Sequence, residues 1–310
     1  MFVSQTKTTL SRPAWRNFVA VMSLLATVLV MDPIAAAAAP TIQRGYVDNQ
    51  FGQLHYVVAR PPAKSPRKPA LVMIHQTVNS SIESRPLFED LAQDRVVIAI
   101  DTPGFGNSDG PASPATIQEY AAAIAQGLRK LGYGPSRPID MTGFHTGALI
   151  AAEIAIAEPK MIRRVALSGV YFVDDARSTR AMNSLPQYKT SAEYYDWFIK
   201  NVPRQQQNAV ARGVPDADWG QIVAESQRPL LRSEFHHVAA FAYAPQVKNR
   251  MPLVKQPVLL LALGDGLRQP TIDSLALFPN ATLADFPQYL DGAYFPDPKP
   301  LSSALRRFLD

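Results

Sequence analysis

Residues 139–158 read Ile-Asp-Met-Thr-Gly-Phe-His-Thr-Gly-Ala-Leu-Ile-Ala-Ala-Glu-Ile-Ala-Ile-Ala-Glu. A short strand over 139–142 runs into a turn pinned by Gly143 and Gly147, and a helix rich in Ala and Ile follows over 148–157. The frame is Gly-x-His-x-Gly. Two glycines so close together imply a turn packed tightly against its neighbours, with one side chain centred between them. That side chain is His145. The chain is organised to present one imidazole.

With 310 residues, 47% of them hydrophobic, the sequence supports a sizeable buried core in one large domain or two small ones. Lys7, Arg12 and Arg16 precede an uncharged apolar run over 18–31, and small residues follow over 35–39. This is the pattern of a secretory signal peptide, and its apolar run is shorter than the roughly 20 residues a spanning helix needs. We therefore expect export to the periplasm or beyond, with residues 1–39 removed and no membrane span left. Three basic residues and one acidic residue leave with the leader, so the formal charge falls from +5 to +3. No basic block remains to attract nucleic acid. There is no cysteine, which excludes disulfides, thiolate chemistry and cysteine-ligated metals together.

Outward from the turn, strand-like runs at 42–47 and 54–60 flank a turn signal at Asp48, Asn49 and Gly52, predicting a β-hairpin. Continuous apolar runs at 70–74 and 96–100 enclose a helical segment at 84–93, as a parallel βαβ unit requires. The alternation continues with a helix at 117–131, the 139–157 unit and a strand at 165–170. It resumes with strands at 258–263 and 282–286 and helices at 271–277 and 301–309. Between 171 and 256 no strand-like run occurs. This segment carries Tyr188, Tyr194, Trp197, Phe198 and Trp219, with helices expected at 191–202 and 216–227. The fold class is α/β, a mostly parallel sheet flanked by helices, with a helical insertion.

Three motifs carry a resemblance. Met73-Ile74-His75-Gln76 follows a buried strand, Asp101-Thr102-Pro103-Gly104-Phe105-Gly106-Asn107-Ser108 follows the next, and Gly143 to Gly147 forms the turn described above. In this order and spacing, nearly all of residues 41–310 resembles the α/β-hydrolase superfamily, in which the third motif is the nucleophile elbow, ordinarily Gly-x-Ser-x-Gly. The resemblance implies a core from residues 40–170 and 257–310 with 171–256 as a cap over the active site. An aromatic-rich cap points to a partly apolar small-molecule substrate, or simply packs on the core.

The family supplies a nucleophile at the elbow, an acid after a late strand and a histidine before the last helix. Here the elbow holds His145. The usual Gly-x-x-Asp spacing would place the acid at Leu267, and Asp265 stands two residues earlier as a displaced acid. In Gly292-Ala293-Tyr294-Phe295-Pro296, Tyr294 takes the histidine's place as a residue able to orient His145 or donate a proton. A serine-hydrolase mechanism does not carry over. Instead, a neutral imidazole at a helix N-terminus can serve as base or nucleophile. The backbone amide of Thr146, with that of Gln76 or Thr77, would bind an oxyanion.

Asp174 and Asp175 follow the strand at 165–170, an alternative acid position or a helix cap. His75 and Asp101 are expected to shape loops, and of His236 and His237 at most one can face a pocket. The five histidines have no metal-binding spacing, and no cofactor motif occurs. Two readings remain open: an enzyme centred on His145, acting on an ester, a lactone or a cofactor-independent lyase-type substrate, and a catalytically degenerate member that binds a small molecule in the same pocket.

Overall fold

Alternate residues of the central strands face opposite cores. In β3 (Lys68–Ile74), Val72 and Ile74 join one apolar cluster and Leu71 and Met73 the other. In β4 (Arg95–Ile100), Ile98 and Ile100 divide from Val97 and Ala99 in the same way. A strand with apolar residues on both faces belongs inside a sheet covered on both sides. The computed structural model describes residues 39–62, 68–211, 214–289 and 297–310. The leader expected over 1–39 lies, but for Ala39, outside the described residues, as does Tyr294.

The remaining strands are β1 (Thr41–Asn49), β2 (Gly52–Arg60), β5 (Ile139–Phe144), β6 (Ile162–Ser168), β7 (Val258–Leu263) and β8 (Ala281–Phe286). They form one eight-stranded sheet in the order β1-β2-β4-β3-β5-β6-β7-β8. The β1–β2 hairpin and the β2–β4 pairing are antiparallel, and the rest is parallel. Helices α2 (Ile117–Lys130) and α3 (Thr146–Ala157) cover one face, and α1 (Arg85–Leu91) and α10 (Lys299–Leu309) the other. Helix α2 buries Ile117, Tyr120, Ala121, Ile124, Ala125 and Leu128, a stripe at helical period, and starts at a Thr116–Glu119 capping box.

Helix α3 is apolar all round and correspondingly buried, apart from Glu153. That carboxylate receives two hydrogen bonds of 2.7 Å from Arg250 and another from the Tyr243 hydroxyl. A buried charge survives only with such partners. They come from α7 (Phe235–Tyr243) and from α8 (Val247–Arg250), so the pair ties the helix behind the elbow to the end of the insertion.

Two expected boundaries shift for local reasons. The strand expected to reach residue 170 ends at Ser168, because Gly169 takes a φ of 75° and the amides of Gly169 and Val170 turn to the Thr271 hydroxyl. The helix expected to stop at residue 202 runs through Pro203 as α5 (Ser191–Ala211). Proline there deprives only the carbonyl of Ile199, which is 67% exposed and within reach of water. With α4 (Asp175–Asn183) and α6 (Asp216–Gln227), these helices form the cap. Helix α9 (Arg268–Asp273) then follows β7.

Candidate active site

His145 has φ 50° and ψ −115°, a strained backbone for a side chain with a Cβ. The surroundings enforce it. The His145 amide donates to the Ser168 carbonyl at 2.7 Å, and its own carbonyl accepts from Ala148 at 2.9 Å, starting α3. A Cβ on Gly143 would collide with the Gly147 carbonyl, and one on Gly147 with the carbonyls of Ile74 and His75. Both glycines are therefore demanded by close backbone approach, and the imidazole between them is carried over the carboxyl end of the sheet, where open α/β sheets bind ligands.

The displaced acid reaches it. Nε2 of His145 lies 2.9 Å from Oδ2 of Asp265, just beyond β7. One strand, β6, separates β5 from β7, so a side chain has to span about 10 Å of sheet, twice the ~4.8 Å strand spacing. An imidazole covers much of that gap, as a serine hydroxyl cannot. The other oxygen of Asp265 accepts the amide of Leu267 at 2.7 Å, so the residue standing at the expected acid position instead holds Asp265 in place. Asp265 is 3% exposed at its side chain and His145 23%, which leaves the carboxylate dry and the ring accessible. A carboxylate accepts, so Nε2 is the nitrogen that faces Asp265 as donor.

The oxyanion candidates separate. The amide of Gln76 donates to the buried carboxylate of Glu83 at 2.8 Å and is not available to a ligand, which corrects one half of the expected alternative. The hydroxyl of Thr77 donates to that of Thr146 at 2.9 Å, joining the loop after β3 to the first turn of α3. First-turn amides such as that of Thr146 have no acceptor within their own helix. Asp174 is exposed and caps α4 by accepting the Arg177 amide at 2.7 Å, so the structure gives it the capping role rather than the acid role. Glu83 lay outside the sequence reading, since no short motif marks a carboxylate seven residues after the amide it holds.

His75 and Asp101 shape loops as expected. His75 accepts the Thr102 amide at 2.9 Å and donates from Nδ1 to the Gln76 carbonyl at 2.8 Å, with burial pushing its pKa down. Burial alone would raise Asp101, but hydrogen bonds from His55 at 2.7 Å and from the Asn107 amide at 2.8 Å hold its pKa at about 2. His236 is buried between Phe105 and Tyr120, ring centroids 4.1 and 4.3 Å away, and His237 bonds Glu234 at 2.6 Å.

Beneath the cap lies a cavity of about 260 Å³. Its walls include the loop from Gln76 to Asn79 and the rings of Tyr194, Trp197, Phe198 and Trp219. Thr77 links it to the elbow through Thr146, while His145 is not among its described walls. A larger open cleft of about 800 Å³ lies beside β1 and β2, but His55 and Asp101 in its wall are already engaged with each other. No helix among the described residues is long and apolar enough to cross a membrane.

Strand order, elbow and cap define the class: the chain has the α/β-hydrolase fold, with His145 at the nucleophile-elbow position. A sequence profile for the alpha/beta hydrolase fold matches residues 69–217. Among particular relatives, (E)-2-((N-methylformamido)methylene)succinate hydrolase of Acinetobacter baylyi is 29% identical over 102 residues, a stretch spanning 33% of this chain and 38% of that enzyme. The enol-lactonase from Burkholderia xenovorans superposes with a TM-score of 0.67 at 17% identity, covering 86% of this chain and 99% of the other. The epoxide hydrolase from Vigna radiata superposes at 0.68 and 15% identity, covering 86% and 97%.

Proposed function

We propose that the protein is a hydrolase of a small, partly apolar ester or lactone, using a His145–Asp265 dyad in place of a serine triad. The observation that carries this reading is the 2.9 Å contact between the imidazole at the elbow and a dry, pinned carboxylate. Asp265 holds the proton on Nε2, so Nδ1 acts as base and removes a proton from water. The hydroxide oxygen attacks the carbonyl carbon, and the carbonyl electrons move onto oxygen. The amides of Thr77 and Thr146, held together by their hydroxyls, donate to this oxyanion. Its collapse expels the alkoxide, which recovers the proton from Nδ1. The enol-lactonase named above supports the lactone part of this substrate class.

The test is turnover of an ester and lactone panel by the wild-type chain beside His145→Ala and Asp265→Asn. Hydrolysis lost in both variants is expected. Hydrolysis retained in His145→Ala, or absent from the wild type, overturns the reading. Export belongs to the same proposal and is supported by Lys7, Arg12 and Arg16 ahead of the apolar run at 18–31. Cell fractionation followed by N-terminal sequencing tests it, and a cytoplasmic chain with an intact N-terminus overturns it.

A further inference from the structure

The walls of the cap cavity combine aromatic rings with a single carboxylate. Tyr194, Trp197 and Phe198 from α5 and Trp219 from α6 supply four aromatic rings. Ring faces carry the negative lobes of the aromatic quadrupole. Among the described lining residues, the only charged side chain is Glu234, and the polar remainder are neutral amides and hydroxyls such as Gln205 and Ser233. Glu234 acts on the rings beside it. Burial first, and its negative charge second, push the Tyr188 hydroxyl upward and the Tyr194 hydroxyl to about 12. Ser233 is 3% exposed, and its hydroxyl oxygen has no hydrogen-bond partner, a buried polar group left for something that enters the cavity.

Rings, one carboxylate and an unused hydroxyl suit a cation clothed in alkyl groups. An anion would meet the carboxylate with repulsion, and a neutral alkyl group would gain the rings without the charge. We propose that this cavity is a subsite for a small organic cation, a quaternary or protonated amine, seated against Glu234 and the four rings. About 260 Å³ lies just below the ~300 Å³ at which typical small-molecule sites begin, which fits a head group rather than a whole bulky substrate. Because Thr77 joins this cavity to the elbow, the substrate of the proposed hydrolase would place its cationic end here and its acyl carbon towards His145, an extension that rests on the hydrolase reading.

Binding is measured without turnover. Two of the three tryptophans, Trp197 and Trp219, line the cavity, so intrinsic fluorescence reports its occupancy. Titrations at pH 8 compare choline with its uncharged isostere 3,3-dimethylbutan-1-ol. Saturable quenching by choline at a concentration at least about tenfold lower than for the isostere is expected. Glu234→Gln should weaken choline about tenfold and leave the isostere unchanged, with the far-UV circular dichroism intact. Should that variant not fold, Trp219→Leu serves in its place and should erase the preference for choline. Equal or tighter binding of the alcohol, or a preference that survives both substitutions, overturns the subsite. The two proposals fail separately: choline bound by a wild type that hydrolyses no ester keeps the subsite and sinks the hydrolase, and the reverse result does the opposite.

Discussion

Asp265 meets His145 at 2.9 Å across a separation of 120 residues, bringing the second half of the core to the elbow. Because Oδ1 is occupied by the Leu267 amide, Oδ2 is fixed in place to accept the imidazole proton. Asp265→Asn keeps the shape but puts an amide where the ring needs an acceptor, so the imidazole must turn its lone pair towards it. Kinetics should show kcat lower by about 10²- to 10⁴-fold with the unfolding midpoint nearly unchanged.

Replacing His145 itself separates chemistry from strain. His145→Ala and His145→Gly should both lose turnover, but only glycine is relaxed at φ 50° and ψ −115°. Chemical denaturation should find the glycine variant more stable than the alanine variant by about 1 kcal/mol. The opposite order would mean that the elbow backbone is not strained at this residue.

Gly147→Ala should damage the elbow without touching a reactive atom. Its Cβ would meet the carbonyls of Ile74 and His75, which are backbone and have little room to yield. We expect a loss of about 1–3 kcal/mol in urea unfolding, together with loss of activity. A neutral result would show that β3 and α3 can separate.

Arg250→Met should strand the Glu153 carboxylate, which is 3% exposed at its side chain. Removing one partner of a buried pair costs about 3–5 kcal/mol, more than most surface arginines could. The double variant Glu153→Gln with Arg250→Met should recover part of the loss, as measured by thermal and urea unfolding.

Acid should destabilise the chain in two steps. Burial lowers the pKa of His75 and His236, so both stay neutral when folded, whereas the unfolded chain takes up those protons below about pH 6.5. Stability is therefore present above pH 6.5 and declines as the pH falls below it. Asp101, lowered from 3.8 to about 2, adds about 2 kcal/mol that disappears between roughly pH 4 and 2. Urea midpoints against pH should flatten in the upper window for His236→Phe, whose ring suits the contacts with Phe105 and Tyr120.

Much of the architecture was legible because its signals are local. The strand at 258–263 coincides with β7, and the apolar runs at 70–74 and 96–100 lie within β3 and β4. A strand covered on both faces has to be apolar throughout, and sequence preserves that requirement. The cap was less legible at its edges, since Pro203 sits within α5 where its cost falls on an exposed turn.

The site divides along the same line. The sequence by itself marked the Gly-x-His-x-Gly turn around His145, and Gly143 answers to a contact within that turn, while Gly147 answers to Ile74 and His75 at the end of β3. It named Asp265 only as a displaced acid and offered Gln76 and Thr77 as equals. The contacts of both come from tertiary structure. Sheet order places β5 and β7 one strand apart, so that His145 reaches Asp265, and the Glu83 carboxylate accepts the amide of Gln76. Distances between side chains far apart in sequence depend on which strands become neighbours, and no spacing along the chain records that.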